Sequence, residues 1–162
     1  MTDQTSTPDG NGAPEGGAVP TVQCHTQYVK DLSFENPNAI EAAIQEGAAP
    51  NVDINVQIAI NGVREGLFEV TLSIEGKAVR DGKHLFVVEL DYGGLFSVQN
   101  VPSEHLEPIL YIHCASLLFP FARQIVAEVT RNGGSPPLLL NPIDFNALYQ
   151  SQLAQRAETG TA

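Results

Sequence analysis

The sequence predicts an α+β fold, with a four-stranded antiparallel sheet followed by a long, proline-interrupted helix and a C-terminal helix. Three observations carry this. Apolar and polar residues alternate through three successive segments between residues 51 and 92, the signature of strands with one buried and one wet face. The links between those segments are short and contain Asn-Gly or Asp-Gly, which suits antiparallel hairpins. Beyond Ser103 the apolar spacing lengthens to three or four residues, the period of a helix.

Residues 1–20 are rich in Gly, Pro, Thr and Asp and carry almost no large apolar side chain, so they predict a disordered tail. They lack the cationic start and apolar run of a secretory signal. A weak first strand follows in "TVQCHTQYVKD". A long connection, about residues 33–50, then contains Phe34 among acidic neighbours, and connections of that length are often functional. In "NVDINVQIAING" the residues Val52, Ile54, Val56, Ile58 and Ile60 share one face. "LFEVTLSIEG" sets Phe68, Val70, Leu72 and Ile74 against Glu69, Thr71, Ser73 and Glu75. "HLFVVELDY" sets Phe86, Val88, Leu90 and Tyr92 against Val87, Glu89 and Asp91. Ser103 and Glu104 open the long helix, which Pro120 should break or kink, since proline lacks the amide donor and crowds the preceding turn. "NGGSPP" stops it. The last helix carries Phe145, Leu148, Tyr149 and Leu153 on one face, with Asn141 or Asp144 as its cap. Residues 21–154 thus form a single domain, and 155–162 are expected to fray.

The composition excludes more than it proposes. Nineteen acidic residues face eight Lys and Arg, a net charge of −11, which repels phosphate backbones and anionic lipid and attracts basic partners. No nucleic-acid partner and no direct membrane insertion are expected, and the longest strongly apolar stretch, "ASLLFPFA", is far too short to cross a bilayer. Two cysteines suit a reducing compartment, so the expected location is cytoplasmic. No glycine-rich phosphate loop is present. Cys24–His25 and His113–Cys114 are adjacent pairs whose side chains diverge on a strand or helix, so neither chelates one ion by itself. No catalytic residue, cofactor or metal site is expected.

Four motifs then become informative: "YVKDLSFENPNA", "LDYGGLFSVQN", "LLFPFAR" and "LNPIDFNALY". In this order and spacing, from about residue 24 to 153, the chain resembles the SecB family of bacterial protein-export chaperones. The resemblance implies an ATP-independent homotetramer, a dimer of dimers, that holds unfolded precursor polypeptides and passes them to the SecA translocase ATPase. It places the SecA-binding surface at Asp31, Glu35, Val87 and Glu89. It places the client groove at Phe34, Phe96, Phe119, Phe121, Phe145, Leu148 and Tyr149, and gives Val88, Leu90 and Tyr92 an influence on the oligomer interface. The rival expectation is an acidic oligomeric adaptor that binds one folded partner and holds no unfolded chain.

Overall fold

The computed structural model describes residues 17–160. Four strands, β1 (Thr21–Glu35), β2 (Asn51–Arg64), β3 (Leu67–Arg80) and β4 (Lys83–Gln99), form one antiparallel sheet in the order β1-β4-β3-β2. Hairpins join β2, β3 and β4, and β1 lies along the free side of β4. The expected Asp-Gly turn is present at Asp81 and Gly82, both at positive φ (52° and 76°). The Asn-Gly pair is not a turn. β2 continues through Asn61 and Gly62 because β3 keeps pairing with it, and the reversal comes at Glu65–Gly66, where Gly66 takes φ 69°. β1 is likewise longer than its weak alternation suggests. It stays on the β4 ladder as far as Phe34 opposite Val88 and Glu35 opposite Val87, so Phe34 belongs to a strand and not to the connection. The connection holds one short helix, α1 (Ala39–Ile44), pinned to the β3–β4 hairpin by Lys83 and Glu41 (2.5 Å).

A continuous helical run covers the inner face of the sheet. It consists of α2 (Ser103–Pro108), a π-helical stretch over Ile109–Cys114, and α3 (Ala115–Asn132). α3 buries Leu118, Ala122, Val126 and Thr130, one residue per turn, against Val70, Leu72, Ile74, Val88, Leu90 and Phe96. Gly94 makes the approach possible: a Cβ there would lie 2.7 Å from Leu118 Cδ2.

Pro120 does not interrupt α3. The carbonyl it leaves without a donor is that of Ser116, and both residues face solvent, where water can satisfy the oxygen. The irregularity lies earlier, in the π-helical turn. A second expectation is corrected with it. By length and composition, the run Ser103–Asn132 is long and apolar enough to cross a bilayer, but its apolar stripe is spent on the sheet.

Thr130 closes the far end of α3. Its hydroxyl lies 2.9 Å from the Val126 carbonyl and accepts the Leu138 amide at 2.9 Å. Thr130→Val keeps the shape and removes the acceptor of that partly buried amide, so we expect a loss of about 1–3 kcal/mol in urea unfolding. An unchanged denaturation midpoint would contradict this account of the 133–143 segment.

Helix α4 (Phe145–Thr159) is capped by Asp144, whose carboxylate accepts the Ala147 amide at 3.0 Å, which decides between the two candidate caps. It also runs beyond the expected boundary at residue 154. Arg156 explains why: it bonds Glu107 at 2.6 Å, donates to the Tyr111 hydroxyl, and lies 5.1 Å from the centre of that ring. Of the tail expected over residues 1–20, residues 1–16 lie outside the described residues.

Candidate functional site

Register turns the scattered acidic residues into one surface. On the outer face of the sheet Asp31 stands directly opposite Asp91, and Glu89 stands between Ser33 on β1 and Glu75 on β3. Glu35 is opposite Val87. The four residues expected to bind SecA therefore share one face of two neighbouring strands. Like charges directly opposed across a ladder repel, so the pairs Asp31–Asp91 and Glu75–Glu89 gain from any cation that settles between them. Internal relief is partial. Ser73 donates to Asp91 Oδ1 at 2.6 Å, and Lys77 pairs with Glu75 at 2.8 Å, a bond that raises the Lys77 pKa. Asp31, Glu35 and Glu89 form no ion pair among the described residues.

Glu69, further along the same face, is different. Lys30 bonds it at 2.8 Å and Tyr28 donates to it, and these bonds hold its carboxyl below the usual range. Burial and then Glu69 push the Tyr28 phenol up to about 12. Both partners cross the strand over Gly93, where a Cβ would meet Tyr28 Cε2 at 2.8 Å. Glu69 is thus neutralised within the chain. Asp91 joins the open set, and cross-strand register places Glu75, paired with Lys77, beside Glu89.

The seven aromatic and aliphatic residues expected to line a groove do not converge. Phe96 is 0 % exposed, and Phe145 and Tyr149 are buried. Phe119 meets Phe145 edge-on at 6.0 Å, and Tyr149 stacks on Tyr111 at 5.3 Å, so these rings fasten α4 to the long helix. Leu148 is half-buried beside them. Phe34 pairs with Val88, eight positions from Phe96 along β4 (88 to 96), about 26 Å at strand rise. There it packs on Phe86 and against Gly133. Phe121 faces out from α3. Val88, Leu90 and Tyr92 are buried in this chain's own core.

An open apolar cleft lies elsewhere. It occupies about 420 Å³ between Val52, Ile54 and Val56 of β2 and Leu138, Leu139 and Ile143 of the 133–144 segment. Ile54 is 41 % exposed and Leu139 is 59 % exposed. β2 is an edge strand, so its outer backbone groups have no neighbouring strand among the described residues. The alternation of β2 marks these residues as apolar but cannot say that the covering segment stands off from them. Burial pushes the Cys114 thiol up to about 12, far from a reactive thiolate. No group of three or more metal-ligating side chains converges among the described residues.

Known proteins agree with this architecture. A family model described as preprotein translocase subunit SecB matches residues 15–156. The chain is 48 % identical to the protein-export protein SecB of Afipia carboxidovorans over 158 residues, covering 98 % of this chain and 95 % of that one. It is 49 % identical to that of Mesorhizobium japonicum over 145 residues, covering 90 % and 87 %. A solved Mycobacterium tuberculosis SecB-like chaperone, in complex with a peptide from an antitoxin, shares the fold with a TM-score of 0.63 at 16 % identity, covering 75 % of this chain and 90 % of that one. With the family model and near-half-identical relatives both spanning almost its whole length, the chain belongs to the SecB family.

Proposed function

We propose that this protein is an ATP-independent, cytoplasmic protein-export chaperone that keeps unfolded precursors competent for translocation and delivers them to SecA. One observation carries the reading. The same sheet presents carboxylates on its outer face and an open apolar cleft beside its inner face, so motor and cargo need not compete for one surface. An unfolded client exposes apolar side chains and unpaired amides, and a cleft with oily walls beside a free strand edge suits both. Asp31, Glu35, Val87 and Glu89, with Glu75 and Asp91, form the surface for a basic segment of SecA.

Assembly as a dimer of dimers is part of the proposal. Val29 and Leu32 on the open edge strand β1, and Leu117 and Phe121 on the solvent side of α3, are exposed apolar positions that copies of the chain could cover. This makes Phe121 a better candidate for subunit contact than for the client groove. Val88, Leu90 and Tyr92 act on assembly only through the packing of sheet and helix.

The test is aggregation of a chemically denatured client diluted into buffer without ATP. Equimolar chaperone should suppress most of the light scattering, and the particle should weigh close to four chains. Unchanged scattering, or binding of a single folded partner with indifference to denatured chains, would favour the adaptor.

A further inference from the structure

We propose that Gly76 sets the size of client side chain that the cleft accepts. The inference rests on the reading that the cleft holds unfolded clients. Gly76 lies buried on the inner face of β3, in register with Ile54 of β2 and Val88 of β4. Its backbone is ordinary strand, unlike Gly66, Gly82 and Gly134 with their positive φ, so conformation does not require glycine there. Space does. A Cβ at this position would lie 3.1 Å from Val88 Cγ1, 3.2 Å from Leu138 Cδ2 and 3.4 Å from Ile54 Cδ1. A glycine inside a strand weakens it, and a close approach of this kind is the usual reason for one.

The three neighbours differ in what they can do. Val88 is 0 % exposed and hemmed in by the core. Leu138 is half-buried and Ile54 is 41 % exposed, and both line the cleft. The Leu138 backbone is tied to Thr130, so only its side chain is free to swing. An atom added at 76 therefore displaces Leu138 in the direction that yields, which is into the cleft. Ile54, at 3.4 Å, is met at ordinary contact distance and yields only to a larger side chain. Gly76 touches no client. It is a positioning residue that fixes how deep two wall residues sit.

The experiment uses two dye-labelled unfolded peptides of equal length and charge, one with Phe and Leu at its apolar positions and one with Ala and Val. Pocket volume discriminates at about tenfold per misfitted group. Gly76→Val should weaken the Phe/Leu peptide about tenfold and the Ala/Val peptide less than about twofold, with Gly76→Ala in between. Adding Leu138→Ala to Gly76→Val should restore the Phe/Leu peptide. Equal weakening of both peptides, or of neither, overturns the inference. Should Gly76→Val not fold, the same comparison with Gly76→Ala, with and without Leu138→Ala, decides. Ile54→Ser separates the two levels: if it leaves both affinities unchanged, the cleft is not the client site, whereas weakening by Ile54→Ser without discrimination by the Gly76 variants sinks only the role of Gly76.

Discussion

Phe96→Ala should lower the free energy of unfolding by about 3–5 kcal/mol, the largest effect expected of any single truncation in this chain. Phe96 is fully buried between Cys24 of β1 and Phe68 of β3. Its ring leans back over Gly94, where an added Cβ would lie 2.7 Å from both Phe96 Cε2 and Leu118 Cδ2. Truncation therefore opens a cavity walled by the sheet below and α3 above. Neither wall can collapse without tilting the long helix, so the cavity cost adds to the lost transfer energy. The measurement is urea unfolding at fixed chain concentration, because self-association would link stability to concentration. The midpoint should fall while the slope stays constant. The same experiment separates two roles for this ring. A ring lining a client groove would lose client affinity on truncation and cost the fold little. A destabilisation below about 1 kcal/mol with weakened client binding would return Phe96 to the groove.

The strands were legible because each carries its own evidence. Phe86, Val88 and Leu90 are buried and Glu89 is exposed, as alternation predicts. What failed was anything decided by a partner distant in sequence. Asn61-Gly62 reads locally as a turn, but continued pairing with β3 keeps it in strand and moves the reversal to Gly66. Phe34 reads as loop because β1 alternates weakly, yet β4 holds it in register. Pro120 reads as a break, and only the exposure of Ser116 shows why the helix tolerates it. The candidate site divides in the same way. Glu89 and Asp91 share a face by local period alone, whereas Glu75 joins them through cross-strand register. The cleft was hidden because apolar residues on a strand read as covered. Whether Leu138 and Leu139 lie flat upon Ile54 or stand away from it depends on where Thr130 anchors the segment, a contact that no sequence window contains.

Glu89→Lys should weaken binding to the basic segment of SecA by well over tenfold, more than about 1.4 kcal/mol, while leaving client binding and folding intact. The prediction follows from where Glu89 sits. It is exposed, forms no ion pair among the described residues, and faces Glu75 across the ladder. A lysine there faces Glu75, which Lys77 already pairs, and removes the like-charge contact that wild type makes across the ladder, so the substitution leaves the sheet intact. Loss of SecA binding could not then be blamed on a damaged fold. The cleft proposed for clients lies on the other side of the sheet and is left untouched. Salt supplies an independent check. Exposed charges are screened over about 10 Å at 0.1 M, so wild-type affinity for SecA should fall as salt rises, and the variant should depend on salt less steeply. Glu69→Lys is the control, because Glu69 is already held by Lys30 and Tyr28 and adds little open charge to the surface. It should disturb the local packing of the sheet more than it disturbs SecA. Equal SecA affinity in Glu89→Lys and wild type, or an equal loss from both variants, would mean that overall charge draws the motor and that the face built by Asp31, Glu35, Glu89 and Asp91 is not its landing place.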